Sequence, residues 1–182
     1  MKKLYLLALI SFSSLISFSQ DTGISAEIHY PIVSTKDYVG DLIGVLGGAF
    51  QFQLSDEKKI NYGLEYRFDT SQAIQQRENS NIKSKMFVFN HLGAFSKINL
   101  DNEEQLKLFV NGGLSVFKYS GGGTSKPYVG FNAGGGLSYS ILDQIYIFGK
   151  YSLVKASKKQ SNSEFTYKET LQIIRFGIGF NI

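Results

Sequence analysis

From residue 23 onward, apolar and polar positions alternate with a period of two rather than the 3.6 of a helix. The stretch 128–141 shows it most clearly. Val129, Phe131, Ala133, Gly135, Leu137, Tyr139 and Ile141 form one set, and Gly130, Asn132, Gly134, Gly136, Ser138 and Ser140 form the other. A helix would scatter both sets around its circumference, whereas an extended strand puts them on opposite faces. The end of the sequence repeats the pattern. Ile174, Phe176, Ile178, Phe180 and Ile182 alternate with Ile173, Arg175, Gly177, Gly179 and Asn181.

The same test predicts strands at 23–33, 42–54, 60–70, 86–98, 106–118, 128–141, 144–156 and 170–182. Each is about twice the usual ~5–6 residues of a strand in a soluble sheet. Long polar connections at 34–41, 71–85, 119–127 and 157–169 alternate with shorter ones at 55–59, 99–105 and 142–143. Such alternation marks a transmembrane barrel. One strand fits poorly. Phe87, Phe89 and Phe95 share parity with His91 and Lys97, which suggests a bulge within 86–98.

Charge separates a membrane barrel from a soluble one. Within the strand spans, Glu27, Glu65, Arg67, Asp69, Lys107, Lys150 and Arg175 fall on the glycine-rich polar face. Lys118 and Lys155 stand at strand ends, and no charge occupies the middle of an apolar face. A soluble barrel would show water a face of glycine, asparagine and serine, unlike the usual charged exterior. In a membrane barrel the apolar face meets lipid, where a midplane lysine or arginine costs roughly 2–4 kcal/mol. Tyr30, Tyr62, Tyr119, Tyr128 and Tyr139 near strand ends suit an interfacial girdle. The predicted fold is all-β: an eight-stranded antiparallel up-and-down transmembrane β-barrel.

Residues 1–20 read as targeting sequence. Lys2 and Lys3 precede an apolar run from Leu4 to Ile16, and Ser17-Phe18-Ser19 supplies small residues for cleavage. Export leaves residues 21–182 as the barrel domain and lowers the formal net charge from +4 to +2. No basic stripe remains, so nucleic acid is not an expected partner. The absence of cysteine excludes disulfides, thiolate metal sites and a thiol nucleophile.

A signal peptide, eight amphipathic strands, glycine-rich inward faces and the ending Phe176-Gly177-Ile178-Gly179-Phe180-Asn181-Ile182 resemble the small outer-membrane β-barrel family. That family includes the OmpA-, OmpX- and OmpW-like porin-family proteins. The Ser-Phe-Ser-Gln signal end and the Gly-Ile-Gly-Phe ending resemble its Bacteroidota members. Ile182 departs from the aromatic last residue of many members, which shifts a terminal assembly signal to Phe180. The resemblance implies a Gram-negative outer membrane, insertion by the barrel-assembly machinery, and roles from structural to adhesive, and the alternation of short turns with long loops puts both termini in the periplasm.

Candidate sites are few. The loop Gly121-Gly122-Gly123-Thr124-Ser125-Lys126 lacks the spacing and following helix of a phosphate loop. His29 and His91, the only histidines, read as hydrogen-bonded structural residues, His29 near the outer end of its strand and His91 near mid-height. No catalytic, metal or cofactor-binding residue is assigned. Glu27, Glu65, Arg67, Lys150 and Arg175 form a predicted lumen charge network, with Glu27 and Arg175 expected as partners across the barrel seam. Phe131, Leu137, Phe176, Ile178 and Phe180 are assigned to lipid.

The function this predicts is non-enzymatic, a structural, adhesive or accessory-subunit role carried by extracellular loops. A narrow pore for ions or small solutes is the alternative, and a lipid-modifying barrel enzyme is less favoured. The long loops are net basic and the turns net acidic. The basic rim suits the phosphates of lipopolysaccharide. Expected partners are outer-membrane lipid and lipopolysaccharide, the assembly machinery and a larger outer-membrane complex.

Overall fold

The computed structural model describes residues 23–35, 41–56, 59–75, 83–119, 127–159 and 166–182. The predicted signal peptide and the glycine-rich loop at 121–126 lie outside them. Eight strands follow one another: β1 (Ile24–Thr35), β2 (Asp41–Asp56), β3 (Ile60–Gln75), β4 (Lys83–Asn99), β5 (Leu106–Tyr119), β6 (Tyr128–Leu142), β7 (Ile145–Lys159) and β8 (Thr166–Asn181). Each pairs antiparallel with its sequence neighbours, and β1 pairs with β8 from Ser25↔Asn181 to Thr35↔Leu171. The barrel is closed, so no strand edge is left unpaired. Ile24, Asp56, Ile60, Asn99, Leu106, Leu142, Ile145 and Asn181 mark one end, the turn end. The opposite end is the loop end.

Burial follows the alternation. In β3, Asn61, Gly63, Glu65, Arg67, Asp69 and Ser71 are buried, while Tyr62, Leu64 and Tyr66 are exposed. The outside is an apolar wall, and Phe131, Leu137, Phe176, Ile178 and Phe180 all project from it. Tyr30, Tyr62 and Tyr139 also face outward. Tyr128 does not. It stacks on Phe117 inside the barrel with ring centroids 4.7 Å apart. Residue 128 shares parity with the inward set Gly130 and Asn132, so the girdle assignment fails there.

Two other expectations are corrected. The strand at β4 has no bulge: its pairing with β3 and β5 runs without a shift from Ile98 to Phe87. Phe87, Phe89, His91, Phe95 and Lys97 therefore share one face because all five point into the lumen, where they are buried. The irregularities lie elsewhere, at His29/Val33, Gly44/Leu46, Gln53/Ser55 and Ser140/Leu142. The first brackets Pro31, which has no N–H to donate to a ladder. The second is a bulge that exposes both Val45 and Leu46 and switches the outward parity of β2.

The strands also run further toward the loop end than apolar alternation predicts. β3 continues to Gln75, β4 begins at Lys83, β7 reaches Lys159 and β8 begins at Thr166. The long connections expected at 71–85 and 157–169 shrink accordingly to 76–82 and 160–165. Hydrogen-bonded pairing needs no apolar face once a strand has left the hydrocarbon, so the ladder outlasts the pattern.

Leu137→Arg should therefore impair assembly by roughly 2–4 kcal/mol if residue 137 lies near the bilayer midplane. Ser138→Arg, one residue on, should perturb lumen packing instead, because Ser138 is buried inside the barrel. Denaturant unfolding in lipid vesicles checks both. Normal stability of the Leu137→Arg barrel would reverse the inside–outside assignment.

Candidate functional site

The lumen is the site, and the described inward side chains pack it. Inward side chains form three layers along the barrel axis. Toward the loop end, Val33, Phe87, Phe89, Phe117, Val154, Ala156, Leu171 and Ile173 make one apolar cluster against which Tyr128 packs. Toward the turn end, Phe95 and Phe109 stack at 5.8 Å, and Tyr146 and Phe148 lie 6.1 Å apart. Between these layers sit most of the buried charges, while Lys97 lies within the turn-end aromatic layer.

The charges divide into two groups. In the first, Glu27 accepts from Lys150 Nζ, from Gln51 Nε2 at 3.0 Å and from Tyr146 Oη at 2.9 Å. Gln51 Nε2 also donates to Glu65 at 2.7 Å, so one amide holds both carboxylates. Glu65 further accepts from Arg67 at 2.6 Å and from Asn111 at 3.0 Å. Lys150 Nζ lies 3.9 Å from Glu65 and 3.8 Å from the centre of the Phe109 ring. That ring face adds a cation–π contact to the ion pairs.

In the second group, Arg175 grips Asp69. Its Nη2 donates to Oδ2 at 2.6 Å, and its Nε lies 3.1 Å from both carboxylate oxygens. Nη1 donates to Ser152 Oγ at 2.8 Å, and His29 Nε2 meets Asp69 Oδ1 at 2.6 Å. Arg67, Asp69 and Arg175 are completely enclosed. Enclosed charges persist only where their partners offset the lost hydration, and the forked Arg175–Asp69 contact is the strongest geometry available for that.

All five residues of the predicted network face the lumen, yet one pairing fails. Glu27 and Arg175 are not partners. Closure register places Glu27 opposite Gly179 and Arg175 opposite Pro31, so Arg175 reaches Asp69 on β3 instead. Sequence reasoning left Asp69 out of the network although it shares parity with Glu65 and Arg67 on β3. It also missed Gln51, Asn111, Ser152 and Tyr146, whose only signal was an inward position. His29 lies level with Asp69 rather than near the outer end of its strand. His91 contacts Asn132 through Nδ1 at 2.7 Å and stands 3.7 Å from Glu65.

Glycine makes the room. A Cβ on Gly47 would lie 2.7 Å from Asp69 Oδ1, and one on Gly134 would lie 2.7 Å from Asn111 Oδ1. Both clashes are too close for ordinary packing, so inward glycines here are space for the polar network.

The geometry resembles a base held by an acid only at His29–Asp69. There, Arg175 grips the same carboxylate and also donates to the Ser152 hydroxyl. Among the described residues no group of His, Asp and Glu has metal-binding geometry. What the arrangement can do is cross-link the wall and close the bore.

Arg175→Gln should cost ~3–5 kcal/mol, because Asp69 would be left buried without its cation. The double change Asp69→Asn with Arg175→Gln should cost less than the two singles summed. Glu27→Gln with Arg175→Gln should come closer to additivity, within about 0.3–0.5 kcal/mol, as expected for groups that share no contact. Double-mutant cycles by denaturant unfolding in vesicles measure both couplings. A larger coupling for Glu27 than for Asp69 would restore the seam pair.

No family model and no curated protein matches the chain. Solved structures do. The chain is similar to Ail, the attachment invasion locus protein of Yersinia pestis, at 16% identity and TM-score 0.54, covering 89% of this chain and 98% of that one. It is similar to Neisserial surface protein A at 12% identity and TM-score 0.55, covering 88% and 96%. For the outer membrane protein OprG of Pseudomonas aeruginosa the values are 10% identity, TM-score 0.53, and 89% and 95% coverage. At such identities the likeness is one of fold, and that fold is the closed eight-stranded transmembrane β-barrel.

Proposed function

We propose that the protein is a non-enzymatic integral outer-membrane barrel that works through its loops, in a structural, adhesive or accessory-subunit role. The observation that carries this reading is the filled lumen. A path along the axis would have to cross the apolar cluster of Phe87, Phe89, Phe117, Leu171 and Ile173, the enclosed ion pairs and the aromatic layer at the turn end. Eight strands give an interior just wide enough for side chains, and here side chains occupy it. A narrow pore would need this whole stack to rearrange. The likeness to Ail, an attachment invasion locus protein, favours adhesion among the loop-borne roles.

In this reading the loop end faces the cell exterior, and Ile24 and Asn181 lie on the periplasmic side. Residues 1–20 act as the signal peptide, the terminal β8 segment around Phe180 engages the assembly machinery, and the source is of Bacteroidota type. Lipopolysaccharide phosphates meet the basic loops, and a larger outer-membrane complex is a candidate partner.

Three measurements test this reading. In planar bilayers the wild-type barrel should show no steady ohmic conductance; a stable open level would favour the pore. Tags near Asn79 and Asn162, which lie outside the described residues, should be labelled on intact cells, whereas one near Glu104 in the β4–β5 turn should not. Labelling at Glu104 alone would invert the barrel. Replacing 76–82 and 120–126 with glycine-serine segments should abolish host-surface attachment or complex capture while leaving barrel stability within about 0.5 kcal/mol.

A further inference from the structure

Among the polar side chains on the outer wall, which include Thr70, Ser96, Lys118 and Lys155, one amide lies in a groove. Asn90 on β4 faces outward between Val88 and Leu92, and Tyr66 Oη donates to its Oδ1 at 2.8 Å. The amide nitrogen has no partner among the described residues. An unmatched amide facing hydrocarbon is costly. Beside it, Val88, Asn90, Val116 and Lys118 line an open groove whose floor is β5 near Phe117. The register explains the groove. Asn90 and Val116 are paired neighbours, as are Val88 and Lys118, so small outward side chains coincide on two adjacent strands. A larger one flanks them on β3, where Phe68 lies beside Asn90, and on β6 the neighbour of Val116 is Val129. Strand spacing of ~4.8 Å makes the trough about one methylene chain wide, too narrow for a helix. Its loop end is closed by the exposed ammonium of Lys118.

We propose that this groove is a binding site for one anionic membrane lipid. An acyl chain lies along Val116 and Val88, a phosphate oxygen accepts from Lys118 Nζ, and the free Asn90 amide donates to an ester or phosphate oxygen just below. Charge complementarity selects the occupant: an apolar trough ending in a cation suits a chain ending in an anion. It also gives the Asn90 amide a partner two positions from the level of the lysine. The site rests on the barrel wall facing lipid and is independent of what the loops recognise.

The test uses the full barrel in uncharged detergent micelles, with bound lipid read by native mass spectrometry. Phosphatidylglycerol should be retained about fivefold better than phosphatidylcholine, in line with one lysine contact at a membrane surface. K118Q should erase that preference, N90L should reduce retention of both lipids, and V116F, which fills the trough, should do so most. K155Q, which alters an outward lysine on β7, should change nothing. Heat-shifted electrophoretic mobility establishes that each variant is folded; if V116F does not fold, N90L and K118Q carry the test alone. Equal retention of the two lipids by the wild type overturns the proposal, as does an unchanged phosphatidylglycerol adduct in both K118Q and N90L. Displacement by glycerophosphate at the same concentration as the whole lipid would show a bare phosphate contact at Lys118 and would also overturn it. None of these results bears on conductance or loop exposure, so the site fails or stands separately from the proposed function.

Discussion

A guanidinium sealed inside a narrow barrel must find a carboxylate, and the rest of the lumen depends on how that demand is met. Arg175 takes Asp69 in a forked contact, and Arg67 takes Glu65. Each carboxylate then recruits a second strand: His29 of β1 meets Asp69, while Gln51 of β2 and Asn111 of β5 donate to Glu65. Lys150 of β7 reaches Glu27 of β1, and His91 of β4 contacts Asn132 of β6. All eight strands contribute a side chain to this layer. A soluble domain ties its elements together through an apolar core. Here most large apolar side chains face outward, and at mid-lumen a polar network performs much of the same cross-linking. Its pairs need not exceed the stability of an apolar filling, since a buried ion pair roughly breaks even against one. What they add is register: a one-residue slip of β3 would turn Glu65, Arg67 and Asp69 toward lipid together.

The layers above and below protect this arrangement. The apolar cluster at the loop end and the aromatic layer at the turn end keep water from the ion pairs, which strengthens their mutual attraction. Lys150 and Arg175 also lie over aromatic faces, Phe109 at 3.8 Å and Phe89 at 5.7 Å. The phenylalanines of β4 therefore belong to the interior. Lys97, without an ion pair among the described residues, sits between the rings of Phe95 and Tyr146, 5.4 and 5.2 Å from their centres.

Much of this was legible in the sequence for one reason: lipid outside and a crowded lumen inside impose a strict period of two. The strand number and the outward set Phe131, Leu137, Phe176, Ile178 and Phe180 follow from that period, and the closed topology from the period together with loop alternation and charge placement. What period cannot supply is the axial offset between strands. Glu27 and Arg175 have the right parity and sit on neighbouring strands, but the offset at the seam separates them and brings in Asp69 from β3. The apparent defect in β4 has the opposite lesson. Its phenylalanines and His91 share a face without any bulge, because the interior changes from apolar to ionic along its own axis. Hydrophobicity then ceases to report direction. The loop-side extensions of β3, β4, β7 and β8 were hidden for a related reason, since pairing beyond the lipid leaves no apolar alternation to read.

These demands leave little of the molecule free for recognition. The inward face is committed to charge pairing and packing, and the outward face must stay apolar over most of its height. A substitution that adds specificity on either face works against assembly. Only two regions escape: the loops beyond the strand ends and the wall near the loop-end boundary, where a lysine costs only ~0–1 kcal/mol. Lys118 stands one residue from the loop-end limit of β5, and Asn90, midway along β4, is polar where the wall's own physics would favour valine or leucine. Their presence together at a groove between β4 and β5 is intelligible if the polar atoms meet something the bilayer itself supplies. A barrel whose described lumen is lined by packed side chains can thus have two separate contact surfaces, its loops and a patch of wall turned sideways into the membrane.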